Sequence, residues 1–339
     1  MLSDILAKVI RNGRIESIHR GHVAVVDAGG NLIAATGNPD LKTYIRSAAK
    51  PFQFMPVLEE KLDEAFNFTD KELAVMMASH NGEDFHINAV KSILKKIGLD
   101  ATYLKCGYHP PFDKTNAEKI ICENLERSPI YNNCSGKHAG MLSVAVKHDW
   151  SLNDYLNPKH PVQQFILNKV AQFSELPVDK ISVGVDGCSA PVFYLPLRKM
   201  AYMYARLANS KEPLAERIFQ LMSQNAEMIA GTGRFDTQFM QLMNGRMISK
   251  VGAEGIRCVG VQKPRPLGIA IKVEDGNKRA SHAVILETLA QLKLISEEEK
   301  VALKSFYKPR IKNHSGIETG FIKVQFKLKF FTSSLTFES

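Results

Sequence analysis

The stretch HVAVVDAGGNLIAATGN, His22–Asn38, decides the fold class because it holds two apolar runs joined by a short polar turn. Gly29 and Gly30 lie in that turn, where a tight hairpin needs residues that adopt positive φ. Further strand-like segments follow in the last third of the chain, at residues 247–261, 267–276 and 320–331. The sequence therefore predicts a sheet that takes strands from both chain ends.

The middle of the chain is typical of helices. Apolar residues recur at helical spacing in Phe52–Phe66. Helices are also predicted from about Thr115 to Arg127 and from about Gly136 onward. One interruption, ISVGVDGCSAPVFYLPL at residues 181–197, predicts a buried strand, a glycine turn and an extended exit.

Strands at both ends and helices between them predict the α+β class. We expect a single catalytic unit over residues 1–339. Its mostly antiparallel sheet is built from about residues 1–50 and 245–339, and its helical part runs from about residue 51 to 244.

The chain is basic, with a net charge of +9 from 44 Lys and Arg against 35 Asp and Glu. The lysines are scattered, and no Arg-rich arm, zinc finger or RNP-like motif accompanies them, so we predict no nucleic-acid partner. Five cysteines without close spacing are not typical of a disulfide framework. No stretch approaches the roughly 18 apolar residues of a membrane span, and the first residues lack the apolar core of a signal peptide. We therefore expect a cytoplasmic protein without a membrane partner.

The segment YIRSAAKPFQ contains Ser47 and Lys50 in an S-x-x-K pattern. Residues three apart share one face of a helix, and Pro51 is tolerated in a first helical turn. A serine beside a lysine amine is an arrangement that activates a nucleophile for acyl transfer. Since S-x-x-K is short and arises often by chance, other motifs must support it.

Two such motifs follow in the order S-x-x-K, S-D-N, K-T-G that class A β-lactamases and penicillin-binding proteins share. Ser79–Asn81 is an S-x-N on a predicted turn after a helix, and Lys250–Gly252 is a K-x-G in a predicted strand. The alternative interpretation is structural: Ser79 caps a helix, and Lys250 is an exposed strand residue. The combination of three motifs favours a Ser-Lys amidohydrolase.

Two polar, glycine-containing stretches are unusual: NNCSGKHAGM at Asn132–Met141 and GVDGCSAPVF at Gly184–Phe193. They contain Cys134 and Cys188. The residues alone leave three uses open for these cysteines, namely a thiolate nucleophile, a metal-binding pair or buried structural thiols.

With these two stretches, the chain resembles the asparaginase II family, the thermolabile, rhizobial-type L-asparaginases. The resemblance runs from Glu16 to about Gly276 and rests also on the segments ESIHRGHVAVVDAGG, IRSAAKPFQ, ASHNGE, KCGYHPP, AGTGRFDT, KVGAEG and LGIAIKVEDG. It implies a fold similar to serine β-lactamases and glutaminases, and hydrolysis of L-asparagine to L-aspartate and ammonia.

The resemblance also implies roles for particular residues. Ser47 with Lys50 corresponds to one Ser-Lys pair, and Ser79 with Lys250 to a second. A zinc ion, structural or substrate-orienting, is implied at three further residues: Cys134, Lys137 and Cys188. The expected substrate-binding residues are Arg46, Asn133, Lys137, His138 and Asp186.

Two further expectations complete the functional prediction. The main alternative to asparagine hydrolysis is a β-lactam-type, glutaminase or peptidase serine hydrolase with the same S-x-x-K chemistry. A homodimer is the expected assembly, because twofold dimers are the commonest soluble oligomers.

Overall fold

In the computed structural model, residues 3–331 are described, and the tail after Phe331, which matches no motif, lies outside them. The chain forms two compact units. Within the described residues, the first comprises residues 3–48, 195–209 and 246–331, and the second comprises Ala49–Tyr194 and Ser210–Gly245. Sheet and helices segregate as an α+β protein, which confirms the predicted class.

The strands of the described chain are β1 (Asp4–Arg11), β2 (Arg14–Asp27), β3 (Leu32–Thr36), β4 (Lys42–Tyr44), β5 (Ser182–Val185), β6 (Pro191–Pro196), β7 (Met247–Val251), β8 (Ile256–Val261), β9 (Leu267–Val273), β10 (Arg310–Lys312), β11 (Glu318–Val324) and β12 (Lys329–Phe330).

The helices of residues 3–331 are α1 (Lys50–Glu59), α2 (Leu62–Ala65), α3 (Asp70–Met76), α4 (Asp84–Lys96), α5 (Lys114–Cys122), α6 (Ser135–Lys147), α7 (Pro161–Ser174), α8 (Leu197–Leu207), α9 (Pro213–Gln224), α10 (Ala226–Ile229), α11 (Phe235–Met243), α12 (Lys278–Gln291), α13 (Glu297–Ala302) and α14 (Lys304–Tyr307). Short 3-10 helices occupy Arg46–Ala49, Ala101–Tyr103, Pro129–Tyr131 and Val178–Lys180.

The first unit is built on a nine-stranded sheet in the order β10-β11-β1-β2-β9-β8-β7, with β3 paired to both β2 and β12. Each pair of neighbouring strands in this sheet is antiparallel. Strands from the two chain ends therefore meet at the β1–β11 and β2–β9 pairs, as the sequence predicts. Helix α8 packs on β2, β8 and β9, and a Cβ on Gly268 of β9 would overlap the Ala201 carbonyl oxygen. This glycine is what lets the helix lie so close to the sheet.

The predicted hairpin is confirmed as β2 and β3. Gly30 has a φ of 84°, and the backbone N–H groups of Gly29 and Asn31 both donate to the Asp27 carboxylate over 2.9 Å. Strand β2 begins earlier than the apolar run, because its polar first half pairs with β1. The ladder to a neighbouring strand, rather than apolar content, keeps that half extended.

The second unit packs its helices around α6. Helices α1, α3 and α4 all contact α6, whose residues from Ser135 to Ala145 are buried. A Cβ on Gly136 would overlap the Val75 carbonyl oxygen of α3, so this glycine sets the distance between the two helices. Strands β5 and β6 form an antiparallel hairpin from Ser182↔Tyr194 to Val185↔Pro191.

Two local predictions were wrong. Strand β5 is not buried, since Val183 is 38% and Val185 78% exposed; β5 pairs with β6, whose own residues are largely buried. Helix α5 ends at Cys122 instead of continuing to Arg127. The cause is Asn124, whose left-handed φ of 48° is incompatible with a continuing helix.

Candidate active site

Ser47 lies in the first unit, within a 3-10 helix, and its side chain is partly exposed. The residue before it, Arg46, has a left-handed backbone with a φ of 52°. That conformation costs a non-glycine residue about 1 kcal/mol or more, and such residues cluster at functional sites. On the other side, the Tyr204 hydroxyl donates to the Ala48 carbonyl over 2.8 Å. The backbone on the C-terminal side of Ser47 is therefore fixed by the hydrogen bond from Tyr204.

The K-x-G motif spans the end of β7 in the same unit. Lys250 is fully buried, so the alternative interpretation of an exposed strand residue is wrong. Its Nζ donates to the Val251 carbonyl over 3.3 Å. A Cβ on Gly252 would lie 2.9 Å from the carbonyl oxygen of Ile45, two residues before Ser47. The motif glycine therefore lets the two motif-bearing segments approach closely.

Lys50 belongs to the second unit, where it begins α1 and is almost fully buried. Its Nζ has three hydrogen-bond partners: the Ala78 carbonyl, the Ser79 hydroxyl at 3.1 Å and the Asn133 carbonyl at 3.3 Å. The structure thus joins the lysine of the first motif to the serine of the second.

Ser79 is buried in the turn after α3. The next residue, His80, holds this turn in place through hydrogen bonds. The His80 backbone N–H donates to the Asn133 carbonyl over 3.3 Å. In the ring, Nδ1 accepts from the Gly82 N–H at 3.1 Å, so Nε2–H is the donor to the Ser135 hydroxyl at 3.0 Å. His80 therefore fixes the S-H-N-G-E segment against the N-N-C-S-G-K segment.

A second buried cluster lies at the start of α6, still within the second unit. Cys134 occupies the N-cap position, and Lys137 and His138 follow in the first turn. Cys188 comes from the turn between β5 and β6. The Lys137 Nζ donates to the Cys188 Sγ at 3.1 Å, and the Cys134 Sγ donates to the Asn133 side-chain oxygen at 3.2 Å.

Charge in this cluster is distributed unevenly. The neighbouring Cys134 thiol and the Lys137 ammonium hold the pKa of Cys188 well below its usual range. The neighbouring Cys188 sulfur and burial both raise the pKa of Cys134. Burial alone would lower the pKa of Lys137, but the two sulfurs outweigh burial and raise it. These directions favour the thiolate form of Cys188, the thiol form of Cys134 and the ammonium form of Lys137.

The two cysteines are of a type that zinc commonly takes as ligands, and the Lys137 nitrogen can become a donor once its ammonium loses a proton. Cys134, Lys137 and Cys188, the residues that the sequence predicts to bind zinc, lie together. Across residues 3–331, however, no group of three or more His, Cys, Asp or Glu side chains is arranged to hold a metal ion. Cys134 and Cys188 supply two such side chains, and the third predicted donor is the lysine amine of Lys137. The zinc site therefore stays a prediction.

The predicted substrate-binding residues fall in both units. Arg46 belongs to the first unit, and the other four belong to the second. Asn133 and Asp186 are partly exposed, and Asp186 also acts electrostatically on Lys137. Lys137 and His138 are buried. A role in substrate binding stays a prediction for all five.

Sequence reasoning missed three residues of this region, namely His80, His109 and Tyr155. The His109 Nε2 accepts from the Asn133 backbone N–H at 3.0 Å. His80 and His109 lie within the family-like segments ASHNGE and KCGYHPP, which was a usable signal. Tyr155 lies in a loop without any motif, so nothing in the sequence pointed to it.

Comparison with protein-family models gives a match to L-asparaginase II over residues 7–324. The chain belongs to the L-asparaginase II family. A search of curated proteins finds no match. Among the helices of residues 3–331, none combines the length and apolar composition that a bilayer crossing requires.

Solved structures similar to this family member include three distinct proteins. The protein Mglu is 14% identical with a TM-score of 0.38, covering 83% of this chain and 63% of its own. A Mycobacterium bovis β-lactamase is 11% identical with a TM-score of 0.43, covering 80% of this chain and 94% of its own. A Bacillus glutaminase is 12% identical with a TM-score of 0.37, covering 81% and 91%. The chain spans less than two thirds of the length of Mglu.

Proposed function

We propose that the protein is an L-asparaginase that hydrolyses the side-chain amide of L-asparagine through Ser47. Family membership supports the reaction class, an amide hydrolysis. The observation that carries the proposed chemistry is the set of three oxygen atoms around the buried Lys50 Nζ.

Two of these oxygens, the carbonyls of Ala78 and Asn133, can only accept hydrogen bonds, whereas the Ser79 hydroxyl can also donate. An ammonium on Lys50 has three N–H groups, one for each oxygen. A neutral amine gives two N–H groups to the carbonyls and receives the Ser79 proton on its lone pair. Lys50 can therefore take up and release a proton without leaving a buried polar group unpaired, as a general base must.

In the proposed reaction, the Ser47 Oγ attacks the amide carbon and its proton passes to the Lys50 Nζ. The tetrahedral intermediate collapses, its C–N bond breaks, and the leaving nitrogen receives a proton through Ser79 and departs as ammonia. Water then hydrolyses the aspartyl ester on Ser47. Partial exposure supports Ser47 as the attacking serine, since Ser79 is only 4% exposed. Lys250 is proposed as the second lysine, acting with Ser79.

Zinc is proposed as a bound metal held by Cys134, Lys137 and Cys188, which requires the lysine amine to lose its proton. When bound, it would orient the substrate or the surrounding segment by its positive charge. The nucleophile is supplied by serine, so no zinc-bound water is required.

Ammonia release from L-asparagine and L-glutamine tests the proposed activity. We expect asparagine hydrolysis in the wild type and a loss of roughly 10⁴-fold in kcat for Ser47→Ala. Ser281→Ala is the matched control and should retain activity, because Ser281 is a buried serine of α12 whose hydroxyl donates to the Lys278 carbonyl one turn earlier. Near-native ammonia release by Ser47→Ala would refute the assignment.

The same assay separates the alternatives. Preference for glutamine would make the enzyme a glutaminase. The two substrates differ by one methylene group, which changes binding by only about 1–3 kcal/mol, so both must be measured. Turnover of a chromogenic cephalosporin without ammonia release from either amino acid would favour the β-lactam-type alternative.

Assembly and location are proposed on general grounds. The five cysteines of the described chain are unpaired, which supports a reducing compartment such as the cytoplasm. A homodimer is proposed as the commonest soluble assembly, and analytical ultracentrifugation tests it.

A further inference from the structure

Two buried side chains, those of Tyr155 and His138, are hydrogen-bonded to each other next to the cysteine cluster. Tyr155 and His138 are both fully buried, and the Tyr155 hydroxyl lies 2.7 Å from the His138 Nδ1. The same hydroxyl oxygen lies 2.9 Å from the backbone nitrogen of Lys105. The two rings meet edge to face, with centroids 5.7 Å apart.

The direction of these hydrogen bonds follows from what each group can do. The Lys105 N–H can only donate, so the Tyr155 oxygen accepts from it. The hydroxyl proton of Tyr155 then has one partner left, the His138 Nδ1. If Nδ1 carried a hydrogen instead, the phenol proton would be buried without an acceptor, which costs about 1–3 kcal/mol. Tyr155 therefore donates to Nδ1, and the ring hydrogen of His138 must be on Nε2.

The other ring nitrogen of His138, Nε2, is buried and has no partner with full hydrogen-bond geometry in residues 3–331. The His138 ring as a whole lies near enough to Cys188 for the two side chains to influence each other's pKa. Cys188 also accepts a hydrogen bond from the Lys137 ammonium.

We propose that Tyr155 is a positioning residue that holds the buried His138 ring as its Nε2–H tautomer. A neutral imidazole binds a metal through the nitrogen that lacks a hydrogen, and in this tautomer that nitrogen, Nδ1, already accepts the Tyr155 proton. His138 therefore leaves metal binding to Cys134, Lys137 and Cys188. This last consequence rests on the proposed zinc site, whereas the tautomer does not.

Histidine nitrogen spectra test the proposal directly. Two-bond ¹H–¹⁵N correlations of protein labelled in histidine distinguish an Nε2–H ring from an Nδ1–H ring, and His138→Gln identifies the signal. We expect a single Nε2–H tautomer for His138 in the wild type. An Nδ1–H ring there would overturn the proposal, whether or not the protein hydrolyses asparagine.

Variants and zinc supply the second arm. Tyr155→Phe should lose the tautomer preference and weaken zinc binding about tenfold in a chelator competition. Tyr204→Phe, which also removes a buried tyrosine hydroxyl with a backbone acceptor, should change neither. Zinc added to the wild type should leave the Nε2 hydrogen in place. Loss of that hydrogen on zinc addition would make His138 a ligand and contradict the proposal.

Discussion

The Lys50 Nζ lies 3.1 Å from the Ser79 Oγ, and both side chains are buried within the same unit. The motif pattern in the sequence groups Ser47 with Lys50 and Ser79 with Lys250. The structure adds a link between the two groups, because the lysine of one bonds to the serine of the other. Proton movement at Lys50 and at Ser79 should therefore be coupled.

Replacing Lys50 by Met should abolish amide hydrolysis while leaving the protein folded. The substitution leaves the Ala78 and Asn133 carbonyls without this donor, at a cost of about 1–3 kcal/mol. Losing a general base costs roughly 10²–10⁴-fold in rate. Thermal unfolding and ammonia release measure the two effects separately. Lys71→Met, on the exposed start of α3, is the control and should change neither.

Gly136→Ala should destabilise the second unit by about 3 kcal/mol, because the new methyl group would overlap the Val75 carbonyl oxygen. Gly140→Ala, one helical turn later in α6, places its methyl 3.2 Å from the flexible Met76 Sδ and should cost far less. Urea unfolding of both variants checks the difference. Equal stability of the two variants would show that α3 and α6 do not pack as described.

His86 should make the protein less stable in acid. Burial lowers the pKa of His86 from its usual 6.5 to about 4, so the unfolded state binds this proton more readily than the folded state. The free energy of unfolding therefore keeps its full value above pH 6.5. It falls by about 3 kcal/mol in all as the pH falls toward 4.

His86→Gln tests this pH dependence, because an amide N–H can replace the ring's donation to the Glu227 carbonyl. Its free energy of unfolding should fall less steeply between pH 6.5 and pH 4 than that of the wild type. His314→Gln, at an exposed position, should follow the wild-type curve. A Gln variant as acid-sensitive as the wild type would contradict the role given to His86.

Zinc content should depend on the buried thiols. We expect the wild type to bind zinc and the Cys134→Ala/Cys188→Ala variant to lose it, as measured by elemental analysis after dialysis. Cys122→Ala removes an exposed thiol and should retain the metal. Stoichiometric zinc in the double variant would place the metal elsewhere.

The fold could be predicted from the sequence where local chemistry is decisive. The Asp27–Asn31 turn requires glycine, so the β2–β3 hairpin was readable, and the apolar segments of β7, β8 and β9 marked three further core strands. Strand β5 was misjudged because the sequence of a single strand does not show whether other elements will cover its valines.

The candidate site was readable through its motifs but not through its contacts. The motif residues Ser47, Lys50 and Ser79 were found, whereas the Lys50–Ser79 hydrogen bond depends on how α1 and α3 each pack against α6. Tyr155 could not be found, because a tyrosine in an ordinary loop gains its role only when folding brings it to His138.

The most direct test of the central claim is to trap the acyl-enzyme. Wild-type protein mixed with L-asparagine, quenched in acid and digested should yield an aspartyl adduct on the peptide that contains Ser47, and Ser47→Ala should yield none. An adduct on Ser79, or full turnover of asparagine by Ser47→Ala, would contradict the account.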